Sequence, residues 1–197
     1  MKRFPLIATL VVLAAVAIMI RLGFWQIDRL HQKEALIARY AAAESLPPIG
    51  WPTVPTSEAN LPLFRHATAN CLSVAGWRTA PGQSVNDEPG FLVIADCRSG
   101  AEGPGLAVEL GWTKDPNAGK QWKGGLVSGL IGPDRRSRMR LHAGAPGPGL
   151  APSEPPSLDS IPNNHRSYAV QWFAFAAIAL IIYGLAVRKR LKEEPKP

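Results

Sequence analysis

Two stretches of this 197-residue chain carry residue types whose spacing could hold a cofactor. The first is Gly23-Phe24-Trp25-Gln26-Ile27-Asp28-Arg29-Leu30-His31-Gln32-Lys33. In a helix, Trp25, Arg29 and Lys33 stand at i, i+4 and i+8 and share a face, with Gln26 beside them. The second is Asn163-Asn164-His165-Arg166-Ser167-Tyr168-Ala169-Val170-Gln171-Trp172. Here His165, Tyr168 and Trp172 stand at i, i+3 and i+7, again on one face, and Asn163 or Asn164 can cap the helix. The two sets offer an imidazole, aromatic walls and cations. A haem needs those components: an axial nitrogen, apolar surface, and positive charge near its propionates. The same residue types also serve plainer ends. Trp, Tyr and Arg are common anchors at a membrane surface, and a histidine at a helix start can simply cap it or meet water.

The elements that must carry these residues are two apolar segments near the ends of the chain. Leu6 to Ile20 holds no charge, and the stretch extends from Phe4 to Trp25 if Arg21 snorkels to the interface. Tyr168 to Val187 is uncharged and has Tyr168, Trp172 and Tyr183 towards its ends. Each reaches the roughly 20 residues that cross a bilayer. The bulky residues after Arg21 make a poor cleavage site, so the first segment reads as a retained anchor, not a signal peptide. Its helical pattern continues from Gly23 to Tyr40 and should stop before Pro47-Pro48; residues 46–63, with five prolines, read as extended.

Charge sets the expected orientation. The net charge is +7: Lys2 and Arg3 carry two of it, and the five bases and two acids from Arg188 onward carry three. The positive-inside rule then puts both tails in the cytoplasm and the middle outside it. The expected organisation is a tail at 1–5, a membrane helix at 6–25, a periplasmic domain at 26–167, a second membrane helix at 168–187 and a tail at 188–197. No nucleic-acid signature is present. The one basic run, Arg135, Arg136, Arg138 and Arg140, lacks interleaved aromatic residues.

The middle reads as a β-rich α+β domain between the two membrane helices. Candidate strands are Ala69–Trp77, Phe91–Cys97, Gly105–Trp112, Gly125–Ile131 and Arg138–His142, in a sheet expected to be antiparallel. Residues 81–90 are turn material, and 143–162 read as a long loop returning to the membrane. If 69–77 and 91–97 pair as a hairpin centred near residue 84, Cys71 and Cys97 fall opposite each other. A disulfide there is the preferred reading, with two separate buried thiols, or a metal site or thiol relay, as the alternatives. There is no C-x-x-C, no haem-attachment C-x-x-C-H and no zinc spacing. Hydrolase and phosphate-loop motifs are also missing, so nothing in the sequence points to an enzyme.

The two exit motifs resemble those of the Surfeit locus protein 1 family, the assembly factors of haem–copper cytochrome c oxidase. That family has Gly-x-Trp-Gln-x-x-Arg-x-x-x-Lys at the end of the first helix, matched here by Gly23, Trp25, Gln26, Arg29 and Lys33. Its second helix is preceded by Asn-His-x-x-Tyr-Ala-x-x-Trp, matched by Asn164, His165, Tyr168, Ala169 and Trp172, with Phe173 following. The middle matches more loosely: Leu110-Gly111-Trp112-Thr113-Lys114 stands where the family has Arg-Gly-Trp-Val-Pro, without the Arg or the Pro.

The resemblance implies a bacterial, non-enzymatic chaperone of the inner membrane that handles haem a for the oxidase catalytic subunit. It makes His165 the candidate axial ligand of the haem iron, with Tyr168 and Trp172 lining the site and Trp25, Arg29 and Lys33 completing it from the first helix or contacting lipid phosphates. Implied partners are cytochrome c oxidase subunit I, haem a synthase as a further candidate, and the bilayer. Two other readings stay open: a cofactor-free scaffold for subunit I, and a membrane-tethered periplasmic enzyme.

Overall fold

A computed structural model of the protein describes residues 5–52, 57–100 and 105–192. The basic residues Lys2 and Arg3, and the tail beyond Lys192, lie outside the described residues. The chain divides into two compact units: Met1–Leu36 with Pro162–Pro197, and Ile37–Ile161.

The first unit is helical. α1 runs unbroken from Leu6 to Glu44, and α2 from His165 to Lys192. α1 has 39 residues, so it is about 58 Å long at 1.5 Å per residue, well beyond the thickness of a hydrocarbon core. Both helices are long and apolar enough to cross a membrane. Large apolar side chains such as Ile7, Leu10, Val11, Val170, Ile181 and Ile182 stand outward, each more than 60% exposed. Water would not favour that surface, whereas lipid would. These features mark a two-pass membrane protein. The last turn of α2 carries Lys189, Arg190 and Lys192, which favour the negative end of the helix dipole.

The second unit is one seven-stranded sheet. Its strands are β1 (Ile49–Gly50), β2 (His66–Cys71), β3 (Ser73–Gln83), β4 (Pro89–Arg98), β5 (Leu106–Thr113), β6 (Gly125–Asp134) and β7 (Arg138–Ala143), in the order β1-β2-β6-β7-β5-β4-β3. The sheet is mixed, which corrects the antiparallel expectation. β1 runs parallel to β2, and β5 runs parallel to β7. The parallel pair arises because β7 returns from the β6 turn on the far side of β6 and meets β5 with the same sense.

The run Ala69–Trp77 is not one strand. It breaks at Leu72 into β2 and β3, which lie towards opposite ends of the strand order. Cys71 therefore does not face Cys97 across a hairpin; the residue opposite Cys97 in β3 is Val74. Instead the sheet curls until the end of β2 meets β4. There the Leu72 N–H donates to the Arg98 carbonyl at 2.9 Å, and Cys71 and Cys97 form a disulfide with Cα atoms 5.4 Å apart.

The turn expected at 81–90 is shorter, since β3 reaches Gln83 and β4 starts at Pro89. Pro81 is tolerated because β3 is an edge strand. The segment after β7 is a hydrogen-bonded strap, not a free loop. Trp112 and Ala151 exchange two backbone bonds at 2.8 and 3.0 Å, and Gly147 N–H donates to the Leu110 carbonyl at 2.8 Å. The core between these layers is Val93, Ile94, Leu106, Val108, Ile131 and Leu141, all essentially without exposure. Tyr40, near the end of α1, packs its ring 5.1 Å from Phe64.

Candidate functional site

The helical unit is held by a seam of small residues and two polar contacts. On α1 the seam is Thr9, Val16, Gly23 and Gln26; on α2 it is Ala169, Phe173, Ala176 and Tyr183. Val16, Ala169 and Ala176 are each about 5% exposed. Spacings of three, four or seven residues keep each set on one face of its helix. Small side chains let backbones approach closely where lipid offers no hydrophobic drive. Phe173 fills the space left by Gly23 and meets Phe24 edge-on, with centroids 5.3 Å apart. Near the other end, the hydroxyls of Thr9 and Tyr183 lie 2.5 Å apart.

His165 is the first residue of α2. Asn164 stands just before it, and its carbonyl accepts from the Tyr168 N–H at 3.3 Å and from the Ser167 hydroxyl at 2.8 Å. Asn164 thus accepts the first hydrogen bond of the helix through its backbone carbonyl, and no asparagine side-chain cap is made among the described residues. The Asn163 side-chain oxygen is buried with no partner among the described residues. His165 Nδ1 lies 2.7 Å from Oε1 of Gln26 on α1. This contact joins the two motifs that the sequence quoted separately.

The other predicted residues separate into two groups. Trp172 is partly buried and meets Phe175 edge-on at 6.4 Å, while Tyr168 is half exposed. Trp25 is 52% exposed and Arg29 turns along its own helix, donating to Gln32 Oε1 at 2.8 Å. Trp25 and Arg29 are thus exposed on α1, and Gln26, a 100° step round the helix from Trp25, is the residue that meets the imidazole. Nothing in the spacing within one helix could fix this rotation.

Among the described residues no group of three or more His, Cys, Asp or Glu could hold a bare metal ion. A macrocycle that brings its own four nitrogens asks less: one protein nitrogen and an apolar wall. His165, with Trp172 and Tyr168 on the same helix, fits that smaller demand.

The sheet domain holds a second polar cluster that the sequence reading missed. Glu109 on β5 is 1% exposed. It accepts from His142 Nδ1 at 2.9 Å and from the Ser153 hydroxyl at 2.6 Å, and pairs with Arg140 at 2.7 Å. Arg140 also reaches Asp134, which takes two bonds from Arg78, and Arg78 pairs with Asp96. Burial would push Glu109 up, but the His142 hydrogen bond and the Arg140 charge hold it below the usual carboxylate range. Burial works the same way on Asp134, and Arg78 with the Ser137 N–H outweighs it. Burial also works against the Arg78 charge, which its two carboxylates nonetheless hold above its ordinary value. A cleft of about 630 Å³ opens beside His142 and Ser153, with Pro146, Pro152 and Leu130 among its walls. Ser153 gives its hydroxyl proton to the carboxylate and not to His142, so the trio is not a nucleophile–base relay. Its work is to bury charge in matched pairs across five strands.

The SURF1 family model matches residues 13–177, which takes in both exit motifs and the whole sheet domain. The chain belongs to the SURF1 family. No curated protein matches it. The SURF1 family is associated with cytochrome c oxidase assembly and is a family of assembly factors, not a known enzyme family. The two apolar helices and the β-rich domain between them are the architecture expected from that resemblance.

Proposed function

We propose that this protein carries haem a towards the catalytic subunit of a haem–copper cytochrome c oxidase, with His165 as the axial ligand of the iron. The observation that carries the reading is the contact of His165 with Gln26. It joins the most specific residues of both helix motifs at one point, beside an apolar seam. In this reading Trp172 and Tyr168 supply the wall against the macrocycle. Trp25, Arg29 and Lys33 form the neighbouring cationic face, suited to propionates or to lipid phosphates.

Subunit I of the oxidase is the acceptor in this reading, and haem a synthase a donor. The bilayer is the bacterial inner membrane. The basic end of α2 lies on the cytoplasmic side with the N-terminus, and the sheet domain is periplasmic. A periplasmic location agrees with the disulfide, because such bonds persist in oxidising compartments.

The test is the visible spectrum of the protein purified from cells that make haem a, beside its His165→Ala variant. A haem a band in the parent that vanishes in the variant is the expected result. An unchanged band in the variant moves the ligand elsewhere. No band in either, from an oxidase-competent host, would favour a cofactor-free scaffold for subunit I.

A further inference from the structure

We propose that Gln26 sets the tautomer of His165, holding the ring proton on Nδ1 and so presenting Nε2 as a lone pair. The role of that lone pair towards iron rests on the ligand reading above; the tautomer assignment does not.

The amide stands with its oxygen, not its NH2, towards the ring. That oxygen has no hydrogen to give. Oriented so, at 2.7 Å from Nδ1, it is matched by a ring that carries its N–H on Nδ1. In a neutral imidazole the other nitrogen is then unprotonated, which is the state a metal needs. Free histidine in water prefers the opposite tautomer, so the arrangement has to be imposed by the protein.

Its surroundings are built to impose it. Gln26 is only 9% exposed, while its neighbour Trp25 is 52% exposed. A buried amide is costly unless it is hydrogen-bonded, so the seam strongly favours the bond to His165. Gly23 stands one turn before Gln26 on α1, and Phe173 stands two turns beyond His165 on α2. Their close fit fixes the rotation of each helix against the other. The two partners lie 139 residues apart in sequence, so only the pairing of the two helices brings them together.

The choice of an amide also matters. A carboxylate in this position would pull on the N–H and make the ring a stronger ligand. A neutral amide orients the ring with less of that pull. Such a ligand suits a cargo that must be passed on.

The experiment uses the full chain, labelled with ¹⁵N-histidine, in nanodiscs without haem, with His165 assigned by subtraction of His165→Ala. The parent is expected to show His165 with Nδ1 protonated and Nε2 bare. Gln26→Leu should shift the population to the Nε2-protonated form, and Gln26→Glu should keep the parent tautomer. Haemin then serves as the probe. Gln26→Leu should weaken its binding by about 10–100-fold, while Gln26→Glu should bind at least as tightly, with a lower iron reduction potential. A parent tautomer with the proton on Nε2, or one unmoved in Gln26→Leu while Gln26→Glu folds normally, would overturn the assignment. The expected tautomer shifts with no haemin binding in any variant would support the role of Gln26 and overturn the ligand reading instead.

Discussion

Gly23 lies directly under the ring of Phe173: a Cβ at position 23 would sit 2.7 Å from two atoms of that ring. The two helices approach at this point because one of them offers no side chain. Gly23→Leu should force them apart, at a cost of about 1–3 kcal/mol for overpacking. Gly23→Ala should cost less, since the ring edge has only to tilt. Thermal unfolding of the full chain in detergent, followed by helical circular dichroism, would rank parent, Ala and Leu in that order. Equal midpoints for all three would mean that this contact does not hold the seam.

Glu109 and Asp134 link domain stability to acid. Both carboxylates sit below their ordinary values when folded, so their contribution is complete above the unfolded values of about 4.3 and 3.9 and is lost as pH falls through the folded ones. The urea midpoint of the domain should be flat near neutral pH and fall steeply below about pH 4. Glu109→Ala leaves Arg140 and His142 short of a partner and should cost about 3–5 kcal/mol at pH 7. Its acid slope should also be shallower. A variant with the parent slope would show that Glu109 is not the group titrating.

Gly111 adopts φ +139°, and a Cβ there would sit 2.5 Å from the Ala151 carbonyl oxygen. This is the glycine of the Leu110-Gly111-Trp112 stretch, at the point where the strap crosses β5. Gly111→Ala should cost about 1–3 kcal/mol through strain alone and loosen the Trp112–Ala151 bonds. Faster amide exchange at Trp112 and Ala151, with β3 unaffected, is the expected sign. Unchanged exchange would show that the strap tolerates a side chain.

Replacing Cys71 and Cys97 together by alanine should destabilise the domain by about 3–4 kcal/mol on the chain-entropy account of a 26-residue closure. Reduction of the parent should lower its urea midpoint to that of the double variant. A parent insensitive to reductant would show the bond to be absent or energetically idle.

Much of the architecture is legible in the sequence because it rests on local signals. Uncharged runs define α1 and α2, and turn residues bracket β4, β5 and β7. What is not legible depends on how separate pieces meet. Leu72 carries no turn signature, yet the chain breaks there, and the correct cysteine pair comes with the wrong geometry. Glu109 sits inside the apolar run Leu106–Trp112 and looks like an outward residue of an antiparallel strand; β7 and the strap cover it only because the sheet is mixed and crossed. Arg140 reads as part of a basic patch, and its partners come from other strands. At the helix ends, His165 and Gln26 are both conspicuous by motif. Their contact is set by helix rotation, which a single-helix period does not contain.

The strand order also bears on the order in which partners become available during synthesis. β3, β4 and β5 form a meander of near neighbours that can assemble as soon as it emerges. β2 is made earlier, but its long-edge partner β6 lies more than fifty residues downstream. Until β6 arrives, the ladder of β2 is an open template for wrong pairings. The bond from Cys71 to Cys97 needs only β4, which precedes β6 in the chain. Once that bond forms, β2 is held beside β4 before β6 exists, and the cross-link acts as a timing device for the fold.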